Sequence, residues 1–213
     1  MPRLQRHDAD KASLMGYRWA PRLFALALGA LLPLAFAPFG RWPIAFLSLT
    51  GLFWLWQRSD PRQAFALGYL FGLGQFGVGA SWIYVSMHLF GEAVAAIAAL
   101  ITLAFVALMA AFPALAGWLA ARVALAQGPT RLLLAMPLSW LLSELLRGIF
   151  LGGFPWLNLG ASQLASPLAG LGPVLGEYGM SLAVALTAAA LVMLARPLLA
   201  LPLLAILWGG SAA

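Results

Sequence analysis

"EAVAAIAALITLAFVALMAAFPALAGWLAAR", residues 92–122, decides the class of fold. Between Glu92 and Arg122 there is no charged residue, and a helix needs roughly 20 predominantly apolar residues to cross the hydrocarbon core of a bilayer. The rest of the chain repeats this pattern. Of its 213 residues 63% are hydrophobic and only 8% are charged, and the mean hydropathy is +0.95, far from the composition of soluble domains. A transmembrane barrel would show segments of about ten residues alternating apolar and polar. Unbroken runs occur instead, so the expected fold is all-α, a polytopic bundle of transmembrane helices.

The charges fence off about seven spans. Outward from the opening stretch, which is the fourth, the third runs from Arg62 to about Val85, the second from Trp42 to Gln57 and the first from Leu23 to Gly40. Pro38, Gly40 and Pro43 mark a turn between the first two. The fifth follows Arg131 and passes through Glu144 towards Phe150, the sixth covers roughly Gly176 to Ala195, and the seventh runs from Pro197 to Ala213. Ahead of them, residues 1–22 form a basic tail. The small triplet Ala35-Phe36-Ala37 imitates a signal-peptide cleavage site, but Pro38 follows it and six more spans come after, so the first helix is expected to stay uncleaved. With alternating crossings, ten of the twelve Lys and Arg residues fall on the side of the amino terminus, and only Arg41 and Arg147 fall on the other. The positive-inside rule places the tail in the cytoplasm and the far end of the seventh span outside.

Composition also excludes some chemistry. With no cysteine among the 213 residues, there is no disulfide, thiolate metal site or cysteine nucleophile in them. The net charge of +6 is spread singly between apolar runs and forms no basic face, which argues against nucleic acid as a partner. "GLGQFG", residues 72–77, matches a dinucleotide fingerprint in letters only, because it lies inside an apolar span without a strand before it. Gly68, Gly72 and Gly79, with Gln75 among them, fall on one helix face, where small residues let a second backbone approach.

The candidate functional residues gather at the outer side. "SWIYVSMH", residues 81–88, offers Trp82 and Tyr84 to an aromatic belt, with Ser86 and His88 beside them. The only other histidine is His7 in the tail, so no metal site is expected. Glu144 and Arg147, three apart on one helix, are placed to pair. Ionisable residues in a span are functional suspects by default, and a structural pair tying this helix to the following loop is the competing reading. Glu177 is the third acidic suspect. "LGGFPWLNLGASQL", residues 151–164, interrupts the apolar pattern. Gly152 and Gly153 permit sharp turns and Pro155 stops regular helix, while Phe154, Trp156, Asn158, Ser162 and Gln163 supply aromatic and polar groups. An irregular loop on the outer face around 152–167, reaching as far as Glu177, is expected, since non-helical backbone at membrane depth is tolerated only where protein buries it or a cavity hydrates it.

Four stretches in register resemble one family: "LAFAPFGRWPIAFLSL" (34–49), "GASWIYVSMH" (79–88), "SELLRGIFLGGFPWLNLGASQ" (143–163) and "PLAGLGPVLGEYGMSLAVAL" (167–186). Together they look like the membrane half of a bacterial apolipoprotein N-acyltransferase. The resemblance implies a multi-pass protein of the inner membrane whose helices hold a nitrilase-like domain on the periplasmic face. It implies acyl transfer from a phospholipid to a cysteine as a thioester, and then to the amine of the diacylglyceryl-cysteine that begins an apolipoprotein. No cofactor is implied. The family's Glu-Lys-Cys triad lies in the nitrilase-like domain, expected beyond residue 213, so none of it transfers to these residues and the chain alone is expected to be a truncated, inactive form. Trp82, Tyr84, Ser86, His88, Glu144, Arg147, Phe154, Trp156, Asn158 and Gln163 match motif positions, with implied roles in lipid access and loop ordering. The competing reading is a small transporter or lipid-binding membrane protein that uses the Glu144, Arg147 and Glu177 region as a polar pathway.

Overall fold

The computed structural model describes residues 19–123, 128–194 and 197–210. Most of the basic tail, Arg196 and the last three residues lie outside them. Among the described residues every regular element is helical. They are α1 (Trp19–Ala35), α2 (Pro43–Trp56), α3 (Pro61–Gly79), α4 (Trp82–Phe90), α5 (Ala95–Val123), α6 (Arg131–Ile149), α7 (Gly172–Val192) and α8 (Pro197–Gly209). Three helical stretches are long and apolar enough to cross a membrane, Ala95–Val123, Arg131–Ile149 and Pro167–Val192, and a fourth is if α3 and α4 count as one bent span. The other three expected spans form shorter apolar helices, α1, α2 and α8.

The opening stretch forms the longest helix, and Pro113 is accommodated inside it. Its partner is α3, in the most extensive helix contact of the bundle. Small residues make that contact possible: a Cβ on Gly72 would stand 2.6 Å from Ala110 Cα, and one on Gly68 would meet the Pro113 carbonyl. In lipid no hydrophobic effect drives helices together, and close backbone packing of this kind supplies the attraction. "GLGQFG" therefore sits within a packed helix.

The start of α3 is fixed locally. The Asp60 carboxylate accepts from the N–H groups of Arg62 and Gln63, both at 2.9 Å, and the Gln63 side chain returns to the Asp60 N–H, which closes a capping box. Nearby, Arg131 reaches across 72 or more residues and donates to the carbonyls of Trp56 (2.7 Å) and Ser59 (2.8 Å). A cation just beyond the end of α2 meets carbonyls there and complements the helix dipole. The main core includes the contact of α2 with α7, where Leu49, Leu52, Phe53 and Trp56 are buried with the alanine face Ala183, Ala185, Ala188 and Ala189.

Three boundaries differ from those expected. First, α1 already begins at Trp19, inside the expected tail, and ends at Ala35, five residues before Gly40, with a turn through Pro38 following. Second, the third span stops at Gly79 and the chain bends by 44° into α4, so "SWIYVSMH" forms a separate segment. Nothing in Ala80-Ser81 advertises such a break, because neither residue is a proline or glycine. Third, helical turns already begin before Glu177, although regular helix is interrupted at Gly176, where the sixth span is expected to start. Short 3₁₀ turns at Phe150–Gly152, Leu159–Gln163 and Pro167–Leu171 carry the chain to α7, which begins at Gly172 and is kinked at Gly176 (φ 66°).

Candidate functional site: a loop folded on a buried Glu and Arg

Helix α6 positions the site because it is amphipathic in the sense opposite to a soluble helix. Ser139, Trp140, Ser143, Glu144 and Arg147 recur at three- and four-residue steps and are all buried, whereas Leu138, Leu142, Leu145, Leu146 and Ile149 are exposed. A span that must carry polar groups in lipid turns them into the bundle.

The helix is stopped by two glycines. Gly152 and Gly153 have φ of 91° and 86°, a region that costs other L-residues free energy. At Gly153 a Cβ would also collide with the Gly148 carbonyl. The reversal carries the chain back along α6, and the Phe154 N–H donates to the Arg147 carbonyl (2.9 Å).

The Arg147 side chain then organises the loop. Nη1 donates to the Phe154 carbonyl (2.7 Å) and to that of Trp156, and Nη2 donates to Asn158 Oδ1 (2.6 Å). The guanidinium lies over the Phe76 ring, 5.3 Å from its centre. A forked, permanently charged donor suits this task, since carbonyls on different residues are met by one rigid plane. One turn earlier, Glu144 Oε1 accepts from Trp140 Nε1 and from the Leu159 N–H, both at 2.9 Å. Glu144 and Arg147 thus tie the helix to the loop, as the structural reading of the pair expects, but no direct bond joins them: Arg147 bonds to the loop, Glu144 to the loop and to Trp140 of its own helix, and between the two the attraction acts through space.

Other helices complete the enclosure. From α3, Gln75 Nε2 reaches the Leu157 carbonyl (3.5 Å), and from α7 the Ser181 hydroxyl accepts from the Gly160 N–H (2.8 Å). Leu157 is held at φ 62°, unusual for a branched residue, and its buried side chain joins Phe76, Val106, Met109 and Phe112. Trp156 is half exposed, donates to the Gly79 carbonyl (3.0 Å) and meets Trp82 edge to face at 5.7 Å. Phe154 packs on Phe105 at 4.8 Å.

The structure therefore gathers Glu144, Arg147, Phe154, Trp156, Asn158 and Gln163 around one loop, with Trp82 at its edge and the Glu177 carbonyl against Gly160. Tyr84, Ser86 and His88 stand apart on α4. There the His88 ring nitrogen Nδ1 meets the Ala93 carbonyl at 2.9 Å and the ring packs near Tyr84 at 5.5 Å. Sequence reasoning passed over Trp140 and Ser181 and gave Gln75 no partner in the loop. Polar side chains inside otherwise apolar spans are the signal that was available for Gln75 and Ser181.

An all-helical bundle with one inward-facing polar span and a pinned irregular loop defines a polytopic membrane protein. Residues 28–190 match the apolipoprotein N-acyltransferase N-terminal domain, and the chain belongs to that family. Curated relatives named apolipoprotein N-acyltransferase include those of Methylococcus capsulatus (46% identical over 170 residues, 80% of this chain and 34% of the relative) and Azotobacter vinelandii (48% over 179 residues, 84% and 35%). A third, from Coxiella burnetii, is 48% identical over 174 residues, 81% of this chain and 36% of the relative. The chain thus spans only about a third of the length of these relatives.

Proposed function

We propose that these residues form the membrane domain of an apolipoprotein N-acyltransferase of the bacterial inner membrane, with about seven crossings and the amino terminus in the cytoplasm. The identity of 46 to 48% over four fifths of the chain to enzymes of that name carries this reading. In the reaction a cysteine thiolate attacks an ester carbonyl of a phospholipid, the carbon–oxygen bond breaks, and a lysophospholipid leaves. The amine of a diacylglyceryl-cysteine then attacks the thioester, an amide forms, and the thiol is released. No cysteine occurs among these 213 residues, so the nucleophile belongs to the nitrilase-like domain that the family resemblance adds.

The loop from Gly152 to Gln163 is the part of this chain that we assign to the reaction, as a rigid rim beside which the lipid chain and that domain meet. Trp156, half exposed, is its outward group, and Phe154 with Phe105 forms its apolar flank. Trp156→Ala and Asn158→Ala in the longer enzyme, assayed for acyl transfer to a diacylglyceryl-cysteine peptide, test the assignment. Lost transfer with normal membrane insertion supports it, and unchanged transfer reduces the loop to packing. The 213-residue chain alone is expected to transfer nothing.

A further inference from the structure

On the side of α5 that faces away from α3, a groove of about 600 Å³ opens between α5 and α6. Ala110, Pro113, Ala114 and Gly117 turn towards α3, and at about 100° per residue the groove positions Leu108, Ala111, Phe112 and Leu115 lie about 160° further round the helix. Leu108 and Leu115 stand exposed on one wall, Leu146 and Ile149 on the other. Phe112, buried, closes the floor, where it meets Phe150 edge to face at 5.8 Å. The same Phe112 side chain belongs to the cluster that holds Leu157 of the loop.

Three observations bear on what fits there. Every lining side chain is apolar, so the groove offers nothing to orient a polar or charged ligand. Both walls belong to helices long and apolar enough to cross a bilayer, and Phe112 stands near the middle of the 29-residue α5, which sets the groove in the hydrocarbon layer and not at the headgroups. Lastly, helices in lipid associate through small residues, as Gly68 and Gly72 do against Pro113 and Ala110. Here the rims are leucine and isoleucine around one small residue, Ala111, so a second helix is held off while a slender hydrocarbon chain passes between them. From Leu108 to Leu115 the groove runs about 10 Å along the axis, two thirds of the roughly 15 Å of hydrocarbon in one leaflet.

We propose that this groove is a binding site for one acyl chain of a membrane phospholipid, which lies along α5 against the end of α6. A chain seated there makes dispersion contacts with both walls and both phenylalanine rings at once, more than a single helix face offers to ordinary boundary lipid. The site is separate from Trp156, which is bonded at the joint of α3 and α4. The inference requires α5 and α6 to lie in a bilayer and no step of acyl transfer.

Photocrosslinking of the 213-residue protein in nanodiscs that contain a phosphatidylethanolamine with a diazirine midway along one acyl chain tests it, with the adducts mapped by mass spectrometry. Leu142 and Leu145 are the comparison: they share the intrinsic reactivity of Leu108 and Leu146, all four are 40–45% exposed, and they lie on α6 outside the groove. The expected result is labelling of Leu108, Leu115 and Leu146 several-fold above that of Leu142 and Leu145, and loss of this excess in Ala111→Trp, whose indole fills the floor. Equal labelling of all five leucines would overturn the proposal, since the groove would then be ordinary lipid-facing surface. An excess that survives Ala111→Trp would overturn it as well. If that variant fails to insert, Ala111→Leu, which takes up the same space with less bulk, is read by the same criterion.

Discussion

Removal of the Arg147 guanidinium is the perturbation that most directly probes how the loop is held. In Arg147→Met the stem remains and three acceptors lose their donor: the carbonyls of Phe154 and Trp156 and the side-chain oxygen of Asn158. At about 1–3 kcal/mol for each buried acceptor left unpaired, the loss amounts to about 3–9 kcal/mol. The Glu144 carboxylate, 2% exposed, also loses the nearby positive charge, and breaking a buried pair by removing one partner costs about 3–5 kcal/mol. The two contributions overlap, so the expected destabilisation is at least about 3 kcal/mol, with the segment Gly152–Asn158 opened to protease. Arg147→Lys keeps the charge but lacks the rigid fork and is expected to recover only part of the loss. Glu144→Gln combined with Arg147→Met is expected to cost less than the sum of the two single changes, as coupled neighbours do. Unfolding in mixed micelles on titration with a denaturing detergent, followed by tryptophan fluorescence, gives the ranking. If Arg147→Met unfolds within about 1 kcal/mol of the parent chain and its loop stays resistant to protease, the guanidinium does not hold the loop and the reasoning fails.

Other substitutions address separate parts of the fold. Gly72→Ala places a Cβ against the Ala110 backbone and is expected to destabilise by about 1–3 kcal/mol. Gly77→Ala, on the same helix with no atom within 4 Å of the added carbon, is expected to stabilise by about 0.5–1 kcal/mol, so equal effects in the same unfolding assay would contradict the close α3–α5 contact. Trp156→Phe deletes the bond to the Gly79 carbonyl while keeping a ring against Trp82. Hydrogen exchange is expected to rise selectively across Ser81–Phe90, and an unchanged pattern would show that Trp156 does not brace the bend. Asp60→Ala removes the cap of α3 and is expected to cost about 0.5–2 kcal/mol, without altering protease resistance at Gly152–Asn158.

The helices were legible where one physical demand dominates. An uncharged run of the length between Glu92 and Arg122 has one good solution in lipid, and α5 lies within that run but for one residue past Arg122. Glycines at Gly68 and Gly72 announced a close helix contact without naming α5 as the partner, because spacing defines a face and not what lies opposite. The bend at Ala80-Ser81 follows Gly79, but α3 also holds Gly68, Gly72, Gly74 and Gly77, so no letter singles it out; the Trp156 bond to the Gly79 carbonyl and the Leu157 side chain against Gly79 brace it from more than 70 residues away. For the loop, Glu144 and Arg147 were evident as charges that need partners, but most of those partners are backbone carbonyls and N–H groups. Every residue possesses them, so no letter in the sequence marks which ones are used. The positive φ of Leu157 was unreadable for a related reason: leucine has no preference for that region, and packing against Phe76 and Met109 imposes it.

The inward polar face of α6 has a consequence for the order in which the protein is made. When Arg131–Ile149 leaves the ribosome, none of the loop exists yet, and a glutamate and an arginine oppose insertion, by up to about 5–7 kcal/mol if both stood at the helix centre and by less near its end where they are, against at most about 0.6 kcal/mol contributed by each leucine. The acceptors of Arg147 arrive within 11 residues, the Leu159 N–H for Glu144 after 15, and Ser181 only once α7 has been synthesised. The sixth helix is therefore expected to linger at the translocon exit until its successors emerge and to enter lipid together with them, so that insertion and folding of this half of the bundle are one event.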